Sequence, residues 1–485
     1  MEEFVDFVGV FSGISESQTA YAEAVSCYRF DGFIVDEEGV LVRSLEIPLS
    51  SGKSYDEGEQ YGFRLAIEER EYSPKEPYEQ PILFSLYESF WDYFFIVKVL
   101  TEHAATNAQS RTYTTKKLSL IRKIEKEITT SSKRLSYSKL KSVFSKVNSD
   151  LNIVALPVAQ ADSVVAKSNS NLFFDIGLSS PYNKRTVDSG VTTPQQMEFC
   201  DCNHQPVCKF FCYFCYFCNE SFERENFTFI THFDTDHYSY LHGRGKTDIL
   251  DFKRKLYSSR QNKFNRLNSF EKMNVLSNYY VKSKILSGYF VFPLNIEAFE
   301  NNCVKTISDK YLTVANLQFI LEVMASCEGF YIISHSKSKS GSIKLNFNNG
   351  GRLLGNANWI DNDANNSGVS YSLNLPRRSY LFTGDKGFHH LPNFQKKTNY
   401  DALMACHHGA EVESEFIPRA ASPNAIACFS FGFNNRYKHP KPSAIKQASE
   451  YKVIGTCGHL DWHRKNIKPT NVEEYQNISI RVKLS

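Results

Sequence analysis

The amino-acid sequence predicts an α/β protein in two parts, and three observations carry that reading. The second half of the chain holds short apolar runs, several ending on a polar residue with chemical potential: GFYIISH, GSIKLNF, VSYSLNL, SYLFTGD, ALMACHH and AIACFSFG. Leu118, Ile121, Ile124 and Ile128 recur at helical spacing in the first half. A length of 485 residues exceeds one ordinary domain, and 42% hydrophobic residues with 14% aromatics can fill a large core.

Residues 1–149 are expected to form an α+β accessory domain. Strand patterns such as YRFDGFIVDEEGVLVRSLEI precede the most apolar window, ILFSLYESFWDYFFIVKVL (82–100). Its charges, Glu88, Asp92 and Lys98, suit a buried amphipathic helix better than a membrane span. Two basic helices follow, the second around Leu140, Val143 and Val147, with TTSSKRLSYSK as a loop between them. The texture changes over 148–177, which reads as two strands joined by a polar turn, so the boundary falls near Ser149. In the second part, residues 244–330 read as mainly helical and basic, and NNGGRLLGNANWIDNDANNSG reads as loop.

The net charge of +3 hides an asymmetry. Residues 1–79 carry 18 acidic and 6 basic residues, whereas 111–150 and 244–284 each carry 11 basic and 3 acidic. Basic stretches of this kind fit a polyanionic partner, although solvated helix faces produce the same count. The acidic start MEEFVDFVGV lacks the basic-then-apolar order of a signal peptide. A soluble cytoplasmic protein without a membrane partner is expected, its 12 cysteines serving as thiols or metal ligands and not as disulfides.

Chemistry gathers at the strand ends. Asp175 closes NLFFDIG. His232, Asp234, Asp236 and His237 lie within six positions of one another, just after the run FTFI. Asp385 closes SYLFTGD, and His407 and His408 close ALMACHHG. Carboxylates and imidazoles are what two divalent cations roughly 3.5–4 Å apart require. One carboxylate must bridge them, and a strand-end Asp385 can reach both. Taken singly, a TGD is commonly a turn and an HHG a surface or core pair. In this order and at strand ends they predict a two-metal centre.

With these motifs in place the chain resembles the metallo-β-lactamase superfamily. It is most similar to the soluble hydrolase domain of bacterial competence DNA-uptake proteins. VAQADS (158–163) resembles that branch's VGQGDS, FFDIG its LIDTG and THFDTDH its SHPDADH. LFTGD resembles its LLTGD, MACHHGA its VPHHGS, and SFGFNNRYKHP (430–440) its SVGxNNRYGHP. The resemblance covers 150–485, with insertions at about 180–225 (Cys-rich) and 244–330 (helical, basic). It implies a four-layer αββα sandwich holding two divalent metal ions, Mn²⁺ or Zn²⁺, with Mg²⁺ also compatible. His232 and Asp234 would face one ion, Asp236 and His237 the other, and Asp385 would bridge. One of His407 and His408 would complete the second site, and Asp175 would steady the ligands from behind. Where most of the superfamily has a second histidine, this branch has an aspartate, here Asp234, which hardens the first site towards Mn²⁺ or Mg²⁺. Asp236 would help orient the attacking water, His439 would lie beside the substrate and donate to a leaving oxygen or a phosphate, and Asn434, Asn435, Arg436 and Lys438 would contact the substrate.

There are departures from that pattern. Ala159, Ala161 and Lys438 replace family glycines, and Tyr238–Tyr240 replaces small residues. No clear counterpart of the usual third-motif histidine occurs, His335 being the candidate. The many membrane spans of an uptake channel are also absent, which predicts a stand-alone enzyme.

One insertion has its own signature. CDCNHQPVCKFFCYFCYFCN packs Cys200, Cys202, Cys208, Cys212, Cys215 and Cys218 beside His204, good spacing for a structural Zn²⁺. The competing reading is a hairpin of buried, aromatic-flanked thiols. For the whole chain, the leading function is a metal-dependent phosphodiesterase, a DNA nuclease, and the resemblance suggests a setting in bacterial defence against foreign DNA. Two alternatives stay open. One is hydrolysis of cyclic or dinucleotide signals, which needs a closed pocket instead of an open basic groove. The other is a non-catalytic scaffold whose acidic N-terminal domain docks a protein partner.

Overall fold

The structure is a computed structural model. It describes residues 3–16, 26–35, 42–71, 83–86, 93–156, 162–177, 224–238, 241, 284–300, 303–307, 312–336, 339–358, 360, 363, 365–410, 416–431, 439–456 and 482–484.

Six strands open the chain: β1 (Glu3–Glu16), β2 (Ser26–Ile34), β3 (Arg43–Pro48), β4 (Gln60–Glu71), β5 (Leu83–Leu86) and β6 (Tyr93–Ala104). They close into a barrel in the order β1-β2-β3-β5-β6-β4. Alternation of side chains across a strand explains its interior. Phe7, Phe30, Leu45, Ile47, Phe63 and Leu65 point inward, while Val8, Phe33 and Val42 point outward into a different core. The window 82–100, whose charges predicted a helix, instead supplies β5 and most of β6. Its YFFIVKV run is aromatic and β-branched, and such side chains fit a pleated surface better than a helix.

Helix α1 (Asn107–Thr130) begins at a capping box between Thr106 and Gln109 and buries Tyr113, Leu120, Ile121, Ile124 and Ile128. Helix α2 (Tyr137–Phe144) follows. The first large sheet then takes β7 (Asn152–Ala155), β8 (Ser163–Lys167), β9 (Asn171–Ile176), β10 (Asn226–Phe229), β11 (Tyr289–Glu300), β12 (Cys303–Ile307) and β13 (Gly329–His335). Three strands, not two, therefore occupy 148–177. Likewise, in the stretch 244–330 read as helical, the described residues 284–300, 303–307 and 312–330 hold β11 and β12 before helix α3 (Val314–Ser326). β11 runs parallel between β10 and β13, which accounts for its near-continuous apolar sequence YFVFPLNIEAFE.

The second sheet orders β14 (Gly341–Asn346), β15 (Arg352–Ala357), β16 (Val369–Asn374), β17 (Ser379–Phe382), β18 (Ala402–Met404), β19 (Ile426–Phe429) and β20 (Lys452–Gly455) in sequence. β15 lies within the stretch read as loop, and pairing on both sides compensates for its glycine and asparagine. A short β21 (Val482–Lys483) completes the edge of the first sheet beside β7.

The two sheets face each other through an aromatic stack. Phe174 of β9 stacks on Phe382 of β17 at 4.4 Å between centroids and on Phe229 of β10 at 5.3 Å. Phe144 of α2 joins this core against Phe229 and Phe347. α1 and α3 cover the outer face of the first sheet, and Phe388, Tyr400 and Ile445 cover that of the second. Among the described residues no helix is long and apolar enough to cross a membrane.

Candidate metal centre

The three stacked phenylalanines set the positions of the ligands that follow them. Asp175 comes one residue after Phe174, Thr231 and His232 two and three after Phe229, and Asp385 three after Phe382. Asp175 itself sits at φ 55°, a left-handed conformation that aspartate tolerates better than most residues. From there its carboxylate accepts from the backbone N–H of Thr231 (2.8 Å), the Thr231 hydroxyl (2.7 Å) and His237 Nδ1 (2.8 Å).

These bonds decide how the imidazoles are turned. A carboxylate only accepts, so His237 carries its proton on Nδ1 and turns Nε2 inward. The Thr231 hydroxyl uses its single proton to donate to Asp175 and therefore accepts from His232 Nδ1, 3.1 Å away, which frees His232 Nε2. His408 Nδ1 lies 3.1 Å from the carbonyl of Ser430, again an acceptor, so its Nε2 also faces the centre.

Asp385 stands between two groups of ligands. Its Oδ1 lies 3.1 Å from His237 Nε2 and 3.8 Å from His408 Nε2. Its Oδ2 lies 3.6 Å from His232 Nε2 and 3.5 Å from His407 Nε2. Asp234 Oδ2 is 3.5 Å from His232 Nε2. Asp236 reaches His408 at 3.0 Å and His237 at 3.8 Å. Asp162, His237, Asp385 and His408 thus form one group with ligand atoms in mutual reach, and His232, Asp234 and Asp385 another. Ligands sharing a cation at about 2.1 Å lie roughly 3–3.5 Å apart, so the spacing fits. Two buried atoms fit it too, because His232 Nε2 and Asp162 Oδ1 have no hydrogen-bond partner among the described residues. The side chains of Asp234 and His407, 49% and 39% exposed, mark the open side.

The backbone is held in place for this purpose. His407, His408 and Gly409 occupy consecutive left-handed conformations, at φ 47°, 54° and 84°. Such a run persists only where surrounding structure enforces it. A Cβ on Gly409 would meet Phe429 at 2.6 Å, and one on Gly384, in the TGD turn, would meet Thr231 Oγ1 at 2.3 Å. The turn also accepts a hydrogen bond from the backbone N–H of His407 through the Gly384 carbonyl.

The charges are mutually dependent. Burial and neighbouring His237 oppose a charged His232, yet Asp234 and Asp385 outweigh them and hold it up at about 9. Burial likewise opposes a charged His408, but Asp162, Asp236 and Asp385 hold it at about 9. Asp385 resists burial because His407, His237 and His232 keep its carboxyl well below the ordinary range. Burial pushes Asp162 up to about 6 against the pull of His408 and His237. Burial, then His408 and His407, push His439 down to about 3, leaving it neutral at physiological pH. Its ring centroid lies 5.6 Å from that of His407.

All the residues named from the strand ends converge here, with His408 in the group of His237 and His407 on the His232 side of Asp385. Asp162, Thr231 and Ser430 were not singled out from sequence. The signal for Asp162 was the VAQADS motif, and that for Thr231 its place directly before the first ligand. His335 belongs to neither group; burial pushes its imidazole down to about 4. The cysteine-rich stretch (Cys200, Cys202, His204, Cys208, Cys212, Cys215, Cys218) and Asn434, Asn435, Arg436 and Lys438 lie outside the described residues.

In comparisons with known proteins the chain matches no family model and no curated protein. Among solved structures it is similar to a point mutant of the CmlA β-hydroxylase, with 11% identity and a TM-score of 0.26. That alignment covers 85% of this chain and 64% of the other. Similarity at that level carries no argument about fold or activity.

Proposed function

We propose that this chain is a metal-dependent hydrolase of the metallo-β-lactamase superfamily, built as an αββα sandwich, and that it cleaves phosphodiester bonds of DNA. The observation that carries the reading is the position of Asp385, whose two oxygens each face a separate set of ligands. The order of the motifs, and cores on both outer sheet faces as well as between the sheets, support it. Asp162, Asp236, His237, Asp385 and His408 would hold one divalent cation; His232, Asp234, Asp385 and His407 would hold the other. Two bound cations supply a Lewis acid and a water deprotonated near neutral pH. The first set offers three carboxylates and two imidazoles and the second two of each, mixed donor sets that suit Mn²⁺ or Mg²⁺ and, through their imidazoles, also accept Zn²⁺.

The chain's own residues do the rest. Asp175 and Ser430 fix the imidazoles, so ligand orientation costs nothing at the moment of reaction. Asp236, half-turned to the open side, can accept a hydrogen bond from the attacking water. His439, being neutral, can donate one hydrogen bond to a phosphate or leaving oxygen but holds no spare proton to release.

The test is elemental analysis of purified protein with a DNA-cleavage assay in added Mn²⁺. Two bound metals and Mn²⁺-dependent cleavage are expected, with His237→Ala losing metal and reducing cleavage by at least about a hundredfold. Bound metal without DNA cleavage would move the substrate to small cyclic or dinucleotides. A His237→Ala protein with full metal content and activity would sink the two-metal reading.

A further inference from the structure

The first of the two basic stretches is not absorbed by the metal centre. Eight of its eleven Lys and Arg side chains are exposed, among them Arg122, Lys123 and Lys126 on α1 and Lys139, Lys141 and Lys146 on and after α2. The face opposite is the buried stripe from Tyr113 to Ile128.

A merely solvated helix intersperses acids four residues from its bases. Here Glu125 is directed elsewhere, and Glu127, four residues from Lys123, forms no ion pair with it among the described residues. Glu125 accepts from the backbone N–H of Ile307 on β12, Glu127 is half-buried, and Asp150 is the single exposed acid between 107 and 150. The cations used for structure are turned in as well: Lys116 donates to the Ile34 carbonyl and Lys133 to that of Ala325. No described acid pairs with the six exposed cations named above.

From this charge pattern we infer that the exposed α1–α2 face is a docking surface for the phosphate backbone of nucleic acid, read without regard to sequence. The inference rests on the hydrolase reading for its purpose but not for its test. Thr114, Thr115, Thr129, Thr130, Ser138 and Ser142 are exposed among the cations, and hydroxyls with Lys and Arg are the usual phosphate contacts. α1, of 24 residues, is about 36 Å long, which spans about ten base pairs of duplex. A lipid surface would instead need a large exposed apolar face, and α1 exposes only Leu118 there. The surface is also tied to the centre. α1 packs on α3, whose Asn316 donates to the Phe233 carbonyl and the Tyr238 hydroxyl, on the segment carrying His232 to His237.

The experiment is fluorescence anisotropy of a labelled 30-base-pair duplex against the full chain in EDTA, across a salt series. The variant is Arg122→Gln/Lys123→Gln/Lys126→Gln. Salt-sensitive binding by the parent is expected, with the variant at least about tenfold weaker and its log–log salt slope flatter by about 2–3. Metal content and hydrolysis of a small aryl phosphodiester should be equal in the two proteins. Salt-dependent duplex binding that the triple variant weakens, from a parent that cleaves no diester, would leave this surface standing and remove the hydrolase. Equal affinity and slope in the variant would overturn the inference whatever the hydrolysis shows. So would a parent that binds phosphatidylserine vesicles and no duplex.

Discussion

The hydroxyl of Thr231 has one proton, and the distances direct it towards Asp175 in a hydrogen bond, so that the oxygen can accept from His232 while Asp175 holds His237. One side chain therefore orients a histidine in each ligand group. Thr231→Val keeps the shape but removes both bonds, and should weaken metal binding about 10–100-fold. Thr231→Ser should restore most of it, and competition with a chelating dye measures both. Lys386 presents the opposite case. It follows Asp385, it is fully buried, and its Nζ has no hydrogen-bond partner among the described residues. Burial pushes its amine down to about 7. A lysine lowered from about 10.5 binds fewer protons folded than unfolded between pH 7 and 10.5, so stability rises with pH across that window. Lys386→Met should therefore stabilise the protein at pH 6, by on the order of 3–5 kcal/mol at most, with the charge-related gain reduced to about 1 kcal/mol or less near pH 10. Melting curves at both pH values decide it; a gain equal at both would show that the amine is not the cause.

At the scale of elements, the site depends on how firmly β9, β10 and β17 are clamped. Phe144 of α2 contacts Phe227, Phe229 and Phe347 with centroids 5.0–6.1 Å apart. Phe144→Ala should cost about 3–5 kcal/mol, seen as a lower melting temperature; a loss under 1 kcal/mol would mean that α2 is not part of that core. Gly384→Ala adds a Cβ at φ 53° against Thr231 and should cost metal affinity as well as stability. These dependences also explain what was legible from the sequence. Asp175, Asp385 and the His407–His408 pair were legible because each ends a short apolar strand. The THFDTDH loop was legible because four ligand-type residues crowd together. β5 and β6 were misread because the charge spacing in 82–100 also suits a helix, and cross-strand pairing, which only the folded barrel supplies, decides between them. β11 was lost inside a stretch whose basic residues suggested exposed helix. Thr231 and Asp162 escaped because their roles are set by partners in distant parts of the chain, His232 aside.

For the whole molecule, the centre couples proton binding, metal binding and stability. Folding raises His232 and His408 to about 9 from an ordinary 6.5, so protonation of both stabilises the fold. That contribution is complete below about pH 6.5 and is lost as pH rises through about 9. Divalent cations compete for the same Nε2 atoms, because a histidine must be neutral to ligate. Metal uptake at pH 7.5 should then release about two protons from these two rings, with more from His237, which Asp385, Asp175 and Asp236 hold well above its ordinary value against the effect of burial. Calorimetric titration with Mn²⁺ in two buffers of different ionisation enthalpy counts these protons. The expected result is a strong buffer dependence at pH 7.5 that shrinks towards pH 10, with affinity rising over the same interval. Added metal should raise the melting temperature more at pH 8 than at pH 6, since protons compete less strongly for the ligands at the higher pH. Equal heats in both buffers at pH 7.5 would mean that the imidazoles are already neutral, and that the carboxylates around them do not form one electrostatic unit with the ligand set.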